Sequence, residues 1–278
     1  METPRLLLCE PADGFRNMAV DEILLDGCKD GTVGAALRIY RWEPPAVSLG
    51  YSQGPDLLDV ENCKAAGVDV VRRVTGGGAL LHWEEITYCF VAREEFLPLP
   101  LRPREFAGLA AAAVGRALVR LGVEASVVSR GREARVRGRE ARVRAGNSPL
   151  CFTRGAENEI AVEGRKLAGC AHRVSDRTYF SHGSVMVGPA HLRVLELLRP
   201  GVPRADFLAV REGCVSLSEL LECVPSFEEA GRVLKEGFEE CFGLSFREGK
   251  LSSHEERLIS ERALEKRNIV ARRDRSEA

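Results

Sequence analysis

A cysteine and a lysine on neighbouring stretches carry the most reactive pairing in this chain. Cys151 follows Asn147-Ser148-Pro149, a turn-forming context, so its thiol falls on a loop and outside any periodic core pattern. Lys166 stands just past Glu163-Gly164, a two-residue break between two runs of apolar and polar alternation, residues 158–163 and 165–172. That pattern predicts a β-hairpin with the lysine beyond its turn. A free thiol titrates near pH ~8.5, and an adjacent cation lowers this by about one unit or more, giving roughly tenfold more thiolate at neutral pH. The same spacing also accommodates Cys151 as one of nine ordinary cysteines and Lys166 as a solvated surface lysine.

A second chemical stretch is Arg73-Val74-Thr75-Gly76-Gly77-Gly78-Ala79-Leu80-Leu81-His82. Three glycines make a flexible turn between strands, or they let the backbone approach a ligand and expose its N–H donors. No Lys-Ser or Lys-Thr follows and the context is strand to strand, so this is not a P-loop. A lone histidine such as His82 fits a structural role as readily as a ligand-binding one.

Taken together, Cys151-Phe152, Val162-Glu163-Gly164-Arg165-Lys166-Leu167-Ala168-Gly169, Ser181-His182-Gly183-Ser184 and the Arg-x-Thr-Gly-Gly-Gly run resemble the biotin/lipoate protein ligase superfamily. Within it they are most similar to the cysteine-dependent octanoyltransferases of lipoate assembly, over about residues 15–265. The resemblance implies an α+β fold: a large mixed, mostly antiparallel sheet, a smaller second sheet and outer helices. It implies Cys151 and Lys166 as catalytic residues, with Arg73, Thr75, Gly76, Gly77, Gly78, His82, Gly169, His182 and Gly183 binding substrate. Implied partners are an acyl carrier protein as donor and lipoyl-domain proteins as acceptors, such as glycine cleavage H protein and 2-oxoacid dehydrogenase subunits. No cofactor is expected, because the donor protein brings octanoyl-phosphopantetheine. ATP enters only under the alternative of a lipoate-protein ligase, which activates the free acid and needs no cysteine. A second alternative moves octanoyl or lipoyl groups between lipoyl domains, and a third is a non-catalytic binder of those domains. Cys170 departs from the family pattern, where serine is more usual.

The elements that must position these residues are legible from periodicity. Residues 5–9, 36–40, 46–49, 69–74 and 86–92 read as strands. Asn17 as cap and Gly27 as terminator bound a first helix; residues 103–121 carry a helical apolar face that Gly122 stops. Ser216 with Glu219, Ser226 with Glu229 and Ser253 with Glu256 form capping boxes in a largely helical region after Val187, and Gly243 ends a helix. A single domain spanning 1–278, with its core about 30–250, is expected. Residues 130–144 hold the duplication RGREARV-RGREARV and seven arginines against two glutamates, read as a solvated arm or as a basic flap for acidic carrier proteins.

Composition bounds the partners. Forty basic and forty-one acidic residues leave a net charge of -1, which gives no global field for nucleic acid. The cysteines form no C-x-x-C pair and no stretch approaches the roughly 18 apolar residues of a membrane span, so a reduced, cytoplasmic, monomeric chain without a membrane span is the expectation. The five histidines show no ligand spacing, so no metal is expected.

Overall fold

The computed structural model describes residues 3–128, 150, 158–200 and 210–276. Its strands are β1 (Arg5–Leu8), β2 (Ala35–Tyr40), β3 (Ala46–Leu49), β4 (Asp69–Arg72), β5 (Leu80–His82), β6 (Glu85–Arg93), β7 (Ser126–Val127), β8 (Ile160–Val162), β9 (Arg165–Ser175), β10 (Thr178–Met186) and β11 (Arg247–Glu248). Eight of them form one sheet in the order β11-β1-β2-β6-β10-β9-β8-β7, parallel at the β11-β1-β2 end and antiparallel elsewhere. The small sheet is β4-β3-β5. This is the mixed α+β architecture that the resemblance implied.

Strand β6 shows how the layers are specified. Ile86, Tyr88, Phe90 and Ala92 point to one face, under α3 (Pro103–Arg120) and the later helix Phe227–Phe242; Cys89 and Val91 point to the other, under α1 (Gly14–Asp30). Both faces are covered, so the strand reads as a nearly continuous buried run. Phe90 alone lies 4.7 Å from the Phe242 ring and 5.2 Å from Phe238. The other α-helices among the described residues are α2 (Val60–Ala65), α4 (Leu217–Leu220), α5 (Phe227–Phe242) and α6 (Ser253–Ser276). A 3-10 segment, Pro189–Leu197, packs with the small sheet in a third apolar cluster.

Helix α1 starts and stops elsewhere than expected. Asp13 is its cap, accepting from Arg16 N–H at 2.9 Å, and Gly31, at φ 89°, closes it. Asn17 is instead a core residue: its amide donates to the carbonyls of Ala12 and Arg41, and its oxygen accepts from Arg38 at 2.6 Å. Gly27 lies inside the helix, where a Cβ would come within 2.6 Å of Val33 Cγ2, so the glycine serves close packing rather than helix termination. The Ser216–Glu219 and Ser226–Glu229 caps form as expected, whereas the last moves one residue earlier, to Ser252 with Glu255. The short β11, at the sheet edge beside β1, has no alternation long enough to read. α6 packs on α1 with Ile259 in the shared apolar cluster and with the ion pairs Arg16–Glu256 at 2.8 Å and Arg262–Glu22 at 3.0 Å.

The β8-β9 hairpin turns through Glu163 at φ 50° and Gly164 at φ 79°, two positive values suited to a tight hairpin. Its register then slips. Ala161 pairs with Lys166 and Ile160 with Ala168, so Leu167 is an extra residue on β9. Leu167 and Ala168 both enter the core under α3, and the bulge lets Lys166 and Gly169, three residues apart, share the opposite face.

Candidate functional site

A cavity of about 200 Å³ opens on that face, between the two sheets and α1. Met18, Trp42, Leu80, Ala171 and Met186 supply apolar wall, and the polar groups fall into three connected sets.

The first is Lys166. Its ammonium donates to Glu159 Oε1 at 2.5 Å, with the two residues only 6% and 7% exposed. Its backbone carbonyl accepts from Val215 N–H at 2.9 Å, tying β9 to the segment before α4. A Cβ on Gly169 would lie 2.9 Å from Lys166 Cε and 3.1 Å from Nζ, so glycine is what lets the lysine lie flat against β9. Gly183, on the neighbouring β10 and paired with Cys170, meets the same constraint: a Cβ would stand 2.5 Å from Gly169 O and 2.7 Å from Tyr88 Cε1.

The second set is the glycine loop between β4 and β5. Arg73, buried, donates to the carbonyls of Gly76 (2.9 Å), Gly78 (2.8 Å) and Ser48 (2.8 Å), so one guanidinium shapes the turn from within. Gly77 adopts φ 107°, a conformation other residues take only with strain. Thr75 Oγ1 lies 2.6 Å from His182 Nε2, and His182 Nδ1 is 3.6 Å from Asp21 Oδ2. Asp21 also accepts from Arg38 at 2.7 Å and from the Tyr40 hydroxyl at 2.9 Å. Burial alone would raise the Asp21 carboxyl, but His182 and Arg38 outweigh it and hold it below the usual carboxylate range. Burial pushes His182 down against the pull of Asp21, with Arg73 and His82 adding to the descent.

The third set centres on His82. Nδ1 lies 2.6 Å from Glu85 Oε1 and Nε2 lies 2.7 Å from Ser48 Oγ, while Trp42 stacks on the ring at 4.0 Å. Glu85 Oε1 also accepts from Thr87 at 2.6 Å and Ser184 at 2.7 Å.

Lys166, Arg73, Gly76, Gly77, Gly78, His82, Gly169, His182 and Gly183 therefore line one cavity, and Thr75 sits behind it through His182. Cys170 borders the same space and interacts with the Tyr88 hydroxyl. Cys151 and the arginine-rich stretch 130–144 lie outside the described residues. Leu150, which precedes Cys151, is buried and forms a β-bridge with Ala79, next to Gly78. Sequence reasoning missed Glu159, Ser48, Glu85 and Asp21. Glu85 had a signal in its place three residues after His82, and Glu159 in its place at the head of the hairpin; Ser48 and Asp21 had none. Among the described residues, no three His, Cys, Asp or Glu side chains converge to hold a metal, and no helix is long and apolar enough to cross a membrane.

The fold is a mixed α+β domain with an apolar-walled, glycine-lined cavity between its two sheets, and the comparison with known proteins specifies its family. The chain belongs to the family described as lipoyl protein ligase A/B catalytic domain, matched over residues 13–239. It is 34% identical to the octanoyltransferase LipM of Kyrpidia tusciae, covering 96% of both chains, and 35% identical to the LipM of Symbiobacterium thermophilum, covering 92% of this chain and 93% of that one. In structure it is similar to a lipoate-protein ligase A with bound ATP, with TM-score 0.72, 24% identity and 94% of each chain covered. It is also similar to a bipartite lipoate protein ligase from Thermoplasma acidophilum, with TM-score 0.73, 21% identity, and 95% of this chain and 92% of that one covered. At these identities the two structures speak for the fold alone.

Proposed function

We propose that the protein is an octanoyltransferase of lipoate assembly that works through an acyl-thioester on Cys151. The observation that carries this reading is the buried Lys166 ammonium on an apolar cavity wall, facing a glycine loop whose far end pairs with Leu150. The Cys151 thiolate attacks the carbonyl carbon of an octanoyl thioester on the phosphopantetheine of an acyl carrier protein. The new C–S bond forms as the old one breaks, and the carrier thiolate departs with the electron pair. The amine of a lipoyl-domain lysine then displaces Cys151, forming an amide. Thioester exchange is nearly neutral in energy and amide formation runs downhill, so ATP has no role. Burying the octanoyl chain at ~0.8 kcal/mol per methylene supplies roughly 5 kcal/mol of binding. Lys166 favours the thiolate and the developing oxyanion, and the N–H groups of the glycine loop add donors. Glycine cleavage H protein and 2-oxoacid dehydrogenase subunits are the acceptors in this reading, which sets the reaction in the cytoplasm.

Mass spectrometry of the full chain after incubation with octanoyl acyl carrier protein tests it. An octanoyl adduct that disappears in Cys151→Ser is the expected result, together with a Lys166→Ala variant whose thiol alkylates only at higher pH. No adduct, with AMP released from ATP and free octanoate or lipoate, would replace transfer by ligation.

A further inference from the structure

The set centred on His82 has the order of an acid–imidazole–hydroxyl triad, and its hydrogen bonds run in one direction. Arg73 Nη1 donates to Ser48 Oγ at 3.0 Å, which leaves the serine proton for His82 Nε2 at 2.7 Å. With the serine donating to Nε2, Nδ1–H is the ring's donor to Glu85 Oε1 at 2.6 Å. Thr87, itself held by Trp42 Nε1–H at 2.7 Å, and Ser184 donate to that same oxygen, so each bond in the network ends on one carboxylate. A glutamate so placed fixes the tautomer and steadies the ring when it gains a proton.

The relay lies beside Lys166. Ser184 is paired across the strands with Gly169, over which the Lys166 side chain lies, and cross-strand neighbours sit about 5 Å apart. Among the described residues, the other charged and titratable groups facing this space are Arg73 from the glycine loop, Tyr40 from β2, His182 from β10, Cys170 from β9, and the Lys166–Glu159 pair from β9 and the residue before β8. Glu159 is engaged by Lys166, and Asp21 by Arg38.

Resting on the transfer reading above, we propose that Ser48 and His82, positioned by Glu85, are the proton relay that makes the acceptor amine competent to displace the acyl group. The two half-reactions differ in proton demand. Thiol–thioester exchange takes no proton from nitrogen. Amide formation starts from an ammonium and ends in a neutral amide, a thiolate and two released protons. One proton passes from the acceptor ammonium to Ser48 Oγ as the serine proton moves to His82 Nε2, which frees the lone pair for attack. The second leaves the nitrogen of the tetrahedral adduct to solvent water, and the C–S bond breaks with its electrons on sulfur.

The test separates loading from discharge in single-turnover measurements on His82→Gln and Ser48→Ala. Discharge to a lipoyl-domain lysine falls about a hundredfold or more beyond any loss in loading, the usual size of general-base assistance. The octanoyl-enzyme of each variant still discharges to hydroxylamine, whose nitrogen is unprotonated at neutral pH. Loading in the same samples reports an intact fold, which a merely structural role for these residues would lower in step. Equal losses in both half-reactions, or unimpaired discharge to lysine, overturns the relay. An octanoyl ester on Ser48 also overturns it, making the serine a nucleophile. A wild-type enzyme that never loads Cys151 refutes the transfer reading itself and the relay with it.

Discussion

His172 offers a prediction whose size follows from its surroundings. It sits on β9 with both ring nitrogens buried and without a hydrogen-bond partner, its ring packed edge-on to Phe106 at 5.9 Å and 83°. Burial first, and then the nearby His182, push its pKa down to about 4 from the usual 6.5. The folded-state value is depressed, so below pH ~6.5 the unfolded chain binds a proton that the native chain refuses. Stability from this group is whole above pH ~6.5 and lost as pH falls towards 4. At ~1.36 kcal/mol per unit the full loss is roughly 3 kcal/mol, of which about 2 is gone by pH 5. Leucine has a similar volume, and the packing change in His172→Leu is the same at both pH values, so it cancels in a double difference. Urea unfolding of wild type and His172→Leu at pH 7 and pH 5 measures it. Wild type should lose about 2 kcal/mol more than the variant over that interval. His182 and His191, also depressed by burial, remain in both proteins, so the variant keeps part of the acid loss. Equal acid sensitivity of the two proteins would refute the reasoning, because it would mean that the imidazole is protonated as readily in the native state as in the unfolded chain.

Asp21→Ala should cost about 3–5 kcal/mol, since it leaves the Arg38 guanidinium buried without its carboxylate. A thermal melt lower by about 6 °C or more checks this, and a shift under about 2 °C would count against it. Gly183→Ala should destabilise by roughly 1–3 kcal/mol, because its Cβ would stand 2.5 Å from the backbone oxygen of Gly169 and neither strand has room to yield. Gly76→Ala, with nothing within 4 Å of its Cβ, is the matched control, and similar denaturant midpoints for the two variants would remove the argument.

How much of this was legible in the sequence depends on the range over which each feature is determined. The β8-β9 hairpin follows from two-residue alternation and a Glu-Gly turn, both local. The face of α3 follows likewise from its spacing. The α1 caps failed for a non-local reason: Asn17, an ordinary cap by type, is taken up by the carbonyls of Ala12 and Arg41 and by Arg38. Asp21, Arg38 and His182 lie 17 and 144 positions apart along the chain from Arg38, and only the packing of α1 on β2 and β10 unites them. Glu85 and Ser48 are likewise joined through His82 by the docking of the small sheet against the large one.

The bulge at Leu167 is where local pattern and site chemistry meet. In an unbroken strand Lys166 and Gly169 would face opposite ways, and a one-residue slip sends every following side chain to the other face. By taking up Leu167 as an unpaired residue, β9 keeps Ala168 in the core under α3 and still turns both Lys166 and Gly169 to the cavity. The ammonium then lies along a backbone that has no side chain to push it away, opposite Ser184 and within the field of Glu159. The site thus depends on a register irregularity for its geometry, and on two glycines, Gly169 and Gly183, for the close approach of the strands that carry it.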